Sequence, residues 1–274
     1  MDKAKEKQLM LNAAKARMLC VEAVYSAASG HPGGSLSVCE ILTVLYLEHM
    51  TVYPSDPARE DQDRLVLTKG HAAPMLYRVL AEKGYFPCSD LNTLRRIDSH
   101  LQGHPSVHTP GVDIPSGPLG IGFGAAQGMA LGMKLKKLPY YAYAVLGDGE
   151  LDEGAVWETA MSAPKFGLNN LIAVIDRNGV QLDGTVQDIM PTDPLAEKWS
   201  AFGWNVIECD GHSVSALDAA LTLAKTETKR PTVIIAKTVK GKGVSFMEGK
   251  NTWHGKAISD EDLKTALHEL GGAN

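Results

Sequence analysis

The chain has 274 residues, a 44% hydrophobic fraction and a formal charge of −5 from 27 basic and 32 acidic side chains. That is enough for one large domain or two small ones with a substantial buried core. The slight acidic balance gives no sign of a nucleic-acid partner, and no run of one sign marks an interaction tail. No apolar stretch is long enough to span a bilayer, and Lys15, Arg17 and Glu22 interrupt the only apolar region near the N-terminus, so neither a membrane anchor nor a secretory leader is expected. Cys20, Cys39, Cys88 and Cys209 are scattered without a close pair. A disulfide framework and a zinc site are therefore not expected, and a reducing, cytoplasmic setting is.

Met10, Ala14, Met18, Val21, Tyr25 and Ala28 recur at helical spacing and predict an amphipathic helix ending near Gly30. A second helix fits 36–49, after a break at Gly33-Gly34-Ser35. Leu65 to Thr68 reads as a short strand and 72–83 as a helix. Residues 98–118, rich in Gly, Pro and His, read as a long functional loop. From residue 120 the pattern is regular. A Gly-rich helix (120–137) leads to the apolar run Tyr141 to Leu146, a helix (151–165) and the run Leu171 to Asp176. A helix near 194–203, the run Trp204 to Cys209, a helix (214–228) and the run Thr232 to Ala236 follow. A last helix occupies about 259–270, after a Gly/Lys-rich loop.

Short β-rich runs alternating with helices predict an α/β fold of three layers, a parallel sheet with helices on both faces. One domain spanning 1–274, with an N-terminal helical segment, is expected. Ligands of such sheets bind at the carboxyl ends of the strands. Gly124, Gly128 and Gly132 lie four apart on one predicted helix. Glycine there costs about 1 kcal/mol relative to alanine, so another backbone is expected close by, either within this chain or at a subunit contact.

Gly147-Asp148-Gly149 follows one predicted strand, and Asp176-Arg177-Asn178-Gly179 ends the next. The 28 residues between Gly149 and Asn178 hold one helix and one strand, which brings Asp148 and Asn178 to neighbouring strand ends. A carboxylate and an amide oxygen are hard ligands that suit magnesium, with phosphates and water completing the octahedron. The free N–H groups of the following helix point to the same place. Glu150, Asp152 and Glu153 crowd this approach and would repel a diphosphate unless a cation offset them. For Glu150 and Asp152 the simpler reading is that they favour the helix dipole. Lys240 and Lys242 read as solvated loop lysines. Gly120-x-Gly122-x-x-Ala125 fails as a dinucleotide fingerprint, because Pro115 and Pro118 stand where a strand is needed.

The segment from Gly147-Asp148-Gly149 to Asn178 resembles the thiamine diphosphate motif. Ser29-Gly30-His31-Pro32-Gly33, Lys69-Gly70-His71, Gly103-His104-Pro105, Gly117-Pro118-Leu119-Gly120 and Trp253-His254-Gly255 narrow the resemblance to the transketolase family, from about residue 10 to 260. The resemblance implies a thiamine diphosphate-binding fold and magnesium held by Asp148, Asn178 and the backbone carbonyl of Val180. It places Gly147 and Gly149 against the diphosphate and Gly117 and Leu119 along the cofactor, although Leu119 equally fits core packing. It sets Glu153 beside the metal site. An isolated histidine beside glycine is often exposed and functionless, but it also titrates near neutrality and can pass protons between sugar hydroxyls. By resemblance, His31 and His254 handle protons on the donor sugar, His71 bridges cofactor and substrate, and His104 contacts the transferred two-carbon unit. His49, His100, His108, His212 and His268 receive no role.

Transketolases normally run to about double this length. The resemblance covers their N-terminal half, without the C-terminal domain and without the pyrimidine-binding domain, which supplies a glutamate to the cofactor ring. It implies a second polypeptide, a heterotetramer of two of each chain, and ketol transfer from a ketose to an aldose, both sugar phosphates. Other readings are the α subunit of a 2-oxo acid dehydrogenase, a relative making deoxyxylulose phosphate, and a non-catalytic cofactor-binding subunit. The four histidines argue against the first, since decarboxylation needs no relay for sugar hydroxyls. The residues around Ser29–Gly33 argue against the second.

Overall fold

Runs dominated by Val, Ile, Leu and Ala form the strands β1 (Arg64–Leu67), β2 (Ala142–Gly147), β3 (Leu171–Arg177), β4 (Asn205–Asp210) and β5 (Thr232–Lys237). In a computed structural model, which describes residues 1–271, they pair in parallel in the order β1-β2-β3-β5-β4. The last three residues of the expected domain lie outside the described part. Side chains alternate between two cores, as the strand period of two requires. Tyr143, Val145, Ile172, Val174 and Ile234 enter one core, while Ala144, Leu146, Ala173, Ile175 and Val233 enter the other.

The helices, in chain order, are α1 (Lys3–Ser26), α2 (Pro32–Ser37), α3 (Cys39–Val44), α4 (Ala73–Lys83), α5 (Ile121–Leu135), α6 (Gly154–Lys165), α7 (Val186–Ile189), α8 (Leu195–Ala201), α9 (Val214–Ala224) and α10 (Asp260–Glu269). The first core takes its helical side from α1, α3, α4 and α9, the second from α5, α6 and α8. Helices thus cover both faces, and the three-layer expectation holds. No described helix is long and apolar enough to cross a membrane.

Several helix boundaries differ from the sequence reading, and those near residues 32 and 154 matter for the site. Gly33-Gly34-Ser35 is not a break. Pro32, whose fixed φ suits a first helical turn, starts α2, and the glycines lie inside it. A Cβ on Gly33 would stand 2.7 Å from the Trp253 carbonyl oxygen, so glycine there lets the segment before His254 pack on α2. The single helix expected over 36–49 divides at Val38 and ends in a wider turn at Leu45–His49. Further on, α6 starts at Gly154 rather than 151. Residues 149–152 form a tight turn, and Glu153 is the extended residue that precedes α6.

Among the described residues, little packs against the glycine row on α5. A Cβ on Gly128 or Gly132 would meet nothing within 4 Å, and one on Gly124 would meet only the Thr159 hydroxyl at 3.6 Å. Packing among the described residues therefore does not account for Gly128 and Gly132.

Candidate functional site

β2 and β3 pair with Gly147 opposite Asp176. Asp148 and Asn178 therefore leave the sheet at the same carboxyl edge, from neighbouring strands. Both line a cavity of about 250 Å³, together with His31, His71, His104, Gly117, Leu119, Gly147, Gly149, Val180 and His254. Segments far apart in the chain meet because each follows or packs on a strand end. His71 follows β1, His31 directly precedes α2, and His254 stands in the loop that Gly33 admits.

Asp148 is buried and accepts backbone hydrogen bonds from Gly149 and Gly179. Burial first, and then the charge of Asp176, push its carboxyl up to about 6. The Asn178 amide oxygen accepts from the Val180 N–H at 3.1 Å within its own turn, and the Gly179 bond to Asp148 ties that turn to the one after β2. A carboxylate, an amide oxygen and the Val180 carbonyl are all hard oxygen donors. The set fits a small divalent cation that keeps several outside ligands. Within the protein a cationic group already stands on this carbonyl: Lys240 Nζ donates to Val180 O at 3.2 Å.

Glu153 is the one expected site residue that the cavity does not take in. Its side chain is exposed, and its Cβ packs near Gly120. Because α6 starts late, the buried acid is Glu150, which the dipole reading places on a helix surface. Its carboxylate accepts from the Gly120 N–H at 2.8 Å, the Gly147 N–H at 3.1 Å and the Thr68 hydroxyl at 2.7 Å. Glu150 thereby ties β1, β2 and the start of α5 together at the cavity wall. Gly149 is needed for a close approach, but of Gln181: a Cβ on Gly149 would stand 2.7 Å from the Gln181 Cβ.

Lys240 is likewise not a solvated lysine. It is buried, and its ammonium donates to Val180 O, to Gln181 O at 3.3 Å and to His254 Nδ1 at 3.0 Å. Burial, followed by the charge of Lys69, lowers its pKa to about 8. Lys69 is also buried and pairs with Asp176, which takes further hydrogen bonds from Ser37 and Thr238. Burial alone would raise the Asp176 carboxyl, but Lys69 and these donors hold it below the usual carboxylate range. Two lysines thus line the cavity beside Asp148. Sequence reasoning assigns neither. Lys69 stands in the Lys69-Gly70-His71 motif just past a strand, and that position is its available signal.

The four histidines converge. Ring centroids of His31 lie 5.5, 5.9 and 5.4 Å from those of His71, His104 and His254, and His71 and His254 are 4.8 Å apart. Near-neutral titration does not survive this packing. Burial, with His104 second, lowers His31 to about 4; burial, with Lys240 second, lowers His254 to about 3; and burial, with Lys69 second, takes His71 well below its ordinary value. His104 is lowered by burial and then by Arg95. At neutral pH these are uncharged imidazoles. His254 has a definite tautomer, since Nδ1 accepts from the Lys240 ammonium and the ring proton therefore sits on Nε2.

The family description "Transketolase, thiamine diphosphate binding domain" matches residues 7–274. The chain is 46% identical over 255 residues to the 6-deoxy-6-sulfo-D-fructose transketolase subunit SqwG of Clostridium sp. (strain MSTE9), covering 93% of both chains. It is 38% identical to an apulose-4-phosphate transketolase subunit of Phocaeicola vulgatus, over 96% of this chain and 93% of that one. The transketolase of Leishmania mexicana superposes with a TM-score of 0.91 at 31% identity, over 96% of this chain but 41% of the Leishmania chain. The chain thus spans less than half of that solved transketolase and nearly the whole of the two relatives named as subunits. With the strand-edge acid and amide, the buried lysines and the converged imidazoles in one cavity, these matches show that the chain belongs to the transketolase family, as its thiamine diphosphate-binding domain.

Proposed function

We propose that this chain is the diphosphate-gripping subunit of a two-chain transketolase, moving a two-carbon ketol unit from a ketose to an aldose. The convergence of four neutral imidazoles over the Asp148–Asn178 edge carries this reading. Asp148, Asn178 and the Val180 carbonyl would hold magnesium, and Gly147, Gly149, Gln181 and the ammonium groups of Lys69 and Lys240 line the part of the cavity that would take the diphosphate. The two lysines also offset the charge that Asp148, Glu150 and Asp176 present to the anion. Gly117 and Leu119 flank the cofactor along the same wall.

Bound thiamine diphosphate supplies the carbanion chemistry. The protein's part is to position hydroxyls and manage their protons. His254, fixed by Lys240, presents Nε2–H to the donor sugar oxygen. His31, uncharged at neutral pH, is free to accept the hydroxyl proton as the carbon–carbon bond opens. His71 spans cofactor and sugar, and His104 bonds the hydroxyl of the transferred unit.

A partner chain supplies the glutamate for the cofactor ring and most contacts to the sugar's far end, in a heterotetramer with sites at the interfaces. The open glycine row of α5 supports a close helix contact with that partner. Glu153, exposed near Gly120, faces outward for the same assembly. The relatives named as subunits carry names with a sulfonated and a phosphorylated sugar, so an anionic sugar is the substrate class proposed for this chain.

The test is reconstitution with a chain carrying the missing half, assayed with xylulose 5-phosphate plus ribose 5-phosphate, with sulfonated ketoses and with pyruvate. Ketol transfer with a sugar, none with pyruvate, and no turnover by this chain alone are expected. Pyruvate decarboxylation would favour the 2-oxo acid dehydrogenase reading instead.

A further inference from the structure

Beyond β5 the chain turns, and three residues later Lys240 enters the cavity. The turn carries Thr238 N–H to Arg177 O at 3.0 Å and Lys242 N–H to Val239 O at 3.2 Å, and three further contacts tie it to its surroundings. Gly241 N–H donates to Gly33 O at 2.9 Å, and Gly249 N–H donates to Lys240 O at 2.9 Å. The third is made by a side chain: the Val239 N–H donates to His212 Nε2 at 2.8 Å. β4 accompanies β5 to the Asp210–Lys237 pair, and Gly211 N–H adds one more bond to Lys237 O. There the ladder between the two strands runs out. His212, in the turn after β4, takes the next donor in place of a backbone carbonyl.

This contact has a strict donor logic. A backbone N–H can only donate, so His212 Nε2 must be unprotonated. The ring proton then lies on Nδ1, 3.0 Å from the Glu40 carboxylate of α3, which also accepts from Arg17 of α1 at 2.6 Å. Glu40 and Arg17 are both buried. Burial would raise the Glu40 carboxyl, but the His212 bond and Arg17 hold it below its ordinary range. A charged acid, fixed by a buried arginine, thus selects one imidazole tautomer. That tautomer is the one that can accept from Val239.

We infer that His212 is a positioning residue: with Glu40 and Arg17 behind it, it holds the Val239–Lys240 turn so that Lys240 reaches both the diphosphate end of the cavity and His254. The inference rests on the proposed function for what the cavity binds, and on the hydrogen bonds alone for how the turn is held. His212 touches none of the reacting atoms. It acts through Lys240, whose three donors are all engaged at the site.

The experiment has two readouts on the full chain. The first is hydrogen exchange without cofactor. His212→Ala is expected to expose the Val239 amide and speed exchange through residues 239–242, while the core strands remain protected. Unchanged protection at Val239 overturns the inference, whatever the cavity binds. The second is the dissociation constant for thiamine diphosphate with magnesium. His212→Ala is expected to weaken it about tenfold, the scale seen when a group orienting a ligand-binding residue is removed. His212→Gln, which keeps an acceptor for Val239 and a donor for Glu40, is expected to recover most of that loss. His212→Lys, which satisfies Glu40 but cannot accept, is expected to recover none.

Lys240→Ala closes a double-mutant cycle. If His212 acts through Lys240, adding His212→Ala to Lys240→Ala changes affinity little. Full additivity, or equal affinity in His212→Lys and wild type, overturns the inference. Failure of the wild-type chain to bind the cofactor at all would count against the proposed function, and the exchange readout would still decide the role of His212.

Discussion

Removing the Glu150 carboxylate leaves the buried Gly120 and Gly147 N–H groups without their partner, while the Thr68 hydroxyl keeps its bond to Val145 O. Each unpaired buried donor costs about 1–3 kcal/mol. Glu150→Ala should therefore destabilise the chain by about 3 kcal/mol in urea denaturation, while exposed Glu153→Ala should stay within about 0.5 kcal/mol. Equal effects at the two positions would contradict the placement of the buried acid. At the same scale, the motifs naming Asp148, Asn178 and the histidines are legible because each stands beside glycine or at a strand end. Lys69, Glu150 and Lys240 are not, because burial of a charge is decided by partners distant in sequence, such as Asp176, Gly120 and Val180.

The imidazole cluster also sets how stability responds to acid. His31, His71 and His254 are held below the unfolded value of about 6.5. Between about pH 6.5 and 4 the unfolded chain therefore takes up protons that the folded chain refuses, and stability falls as pH falls. Asp148, raised to about 6, works in the opposite direction over the same window, since its folded form binds the proton first. His104 is lowered as well and the Glu150 carboxyl is raised, so four imidazoles stand against two carboxyls and leave a net loss on acidification. Each imidazole adds at most about 1.4 kcal/mol per pH unit, and less where solvent screens it. Denaturation midpoints at pH 7, 6 and 5, without cofactor, should fall in that order. Midpoints that stay level or rise would show that the cluster is not buried as described.

At the scale of elements, the sheet is readable because β1, β2, β3 and β5 carry apolar runs of the right length, and the core shows the two-sided burial of β2, β3 and β5, while the edge strand β4 is only partly buried. Helix starts are less readable. Pro32 opens a helix through two glycines because the Trp253 segment needs the space, and no local propensity announces that contact. The α5 row gives a direct prediction. With open space around Gly128, Gly128→Ala should raise the stability of the isolated chain by up to about 1 kcal/mol. Gly128→Leu should leave folding intact and impair assembly with the partner. Unimpaired assembly of Gly128→Leu would remove the contact from this face.

For the whole molecule, one sheet edge collects the site. The parallel topology puts every strand's carboxyl end on one side. Residues from β1, β2 and β3, the segment after β5 and the α2 entry therefore meet without any being close in sequence. The central claim is that Asp148 and Asn178 grip a divalent ion that anchors a diphosphate. Calorimetric titration of thiamine diphosphate into the chain, with magnesium or with chelator, and with wild type or Asp148→Ala, tests it most directly. The account predicts binding that requires magnesium and weakens at least about 100-fold in Asp148→Ala. Equal affinity with chelator, or in Asp148→Ala, would contradict it.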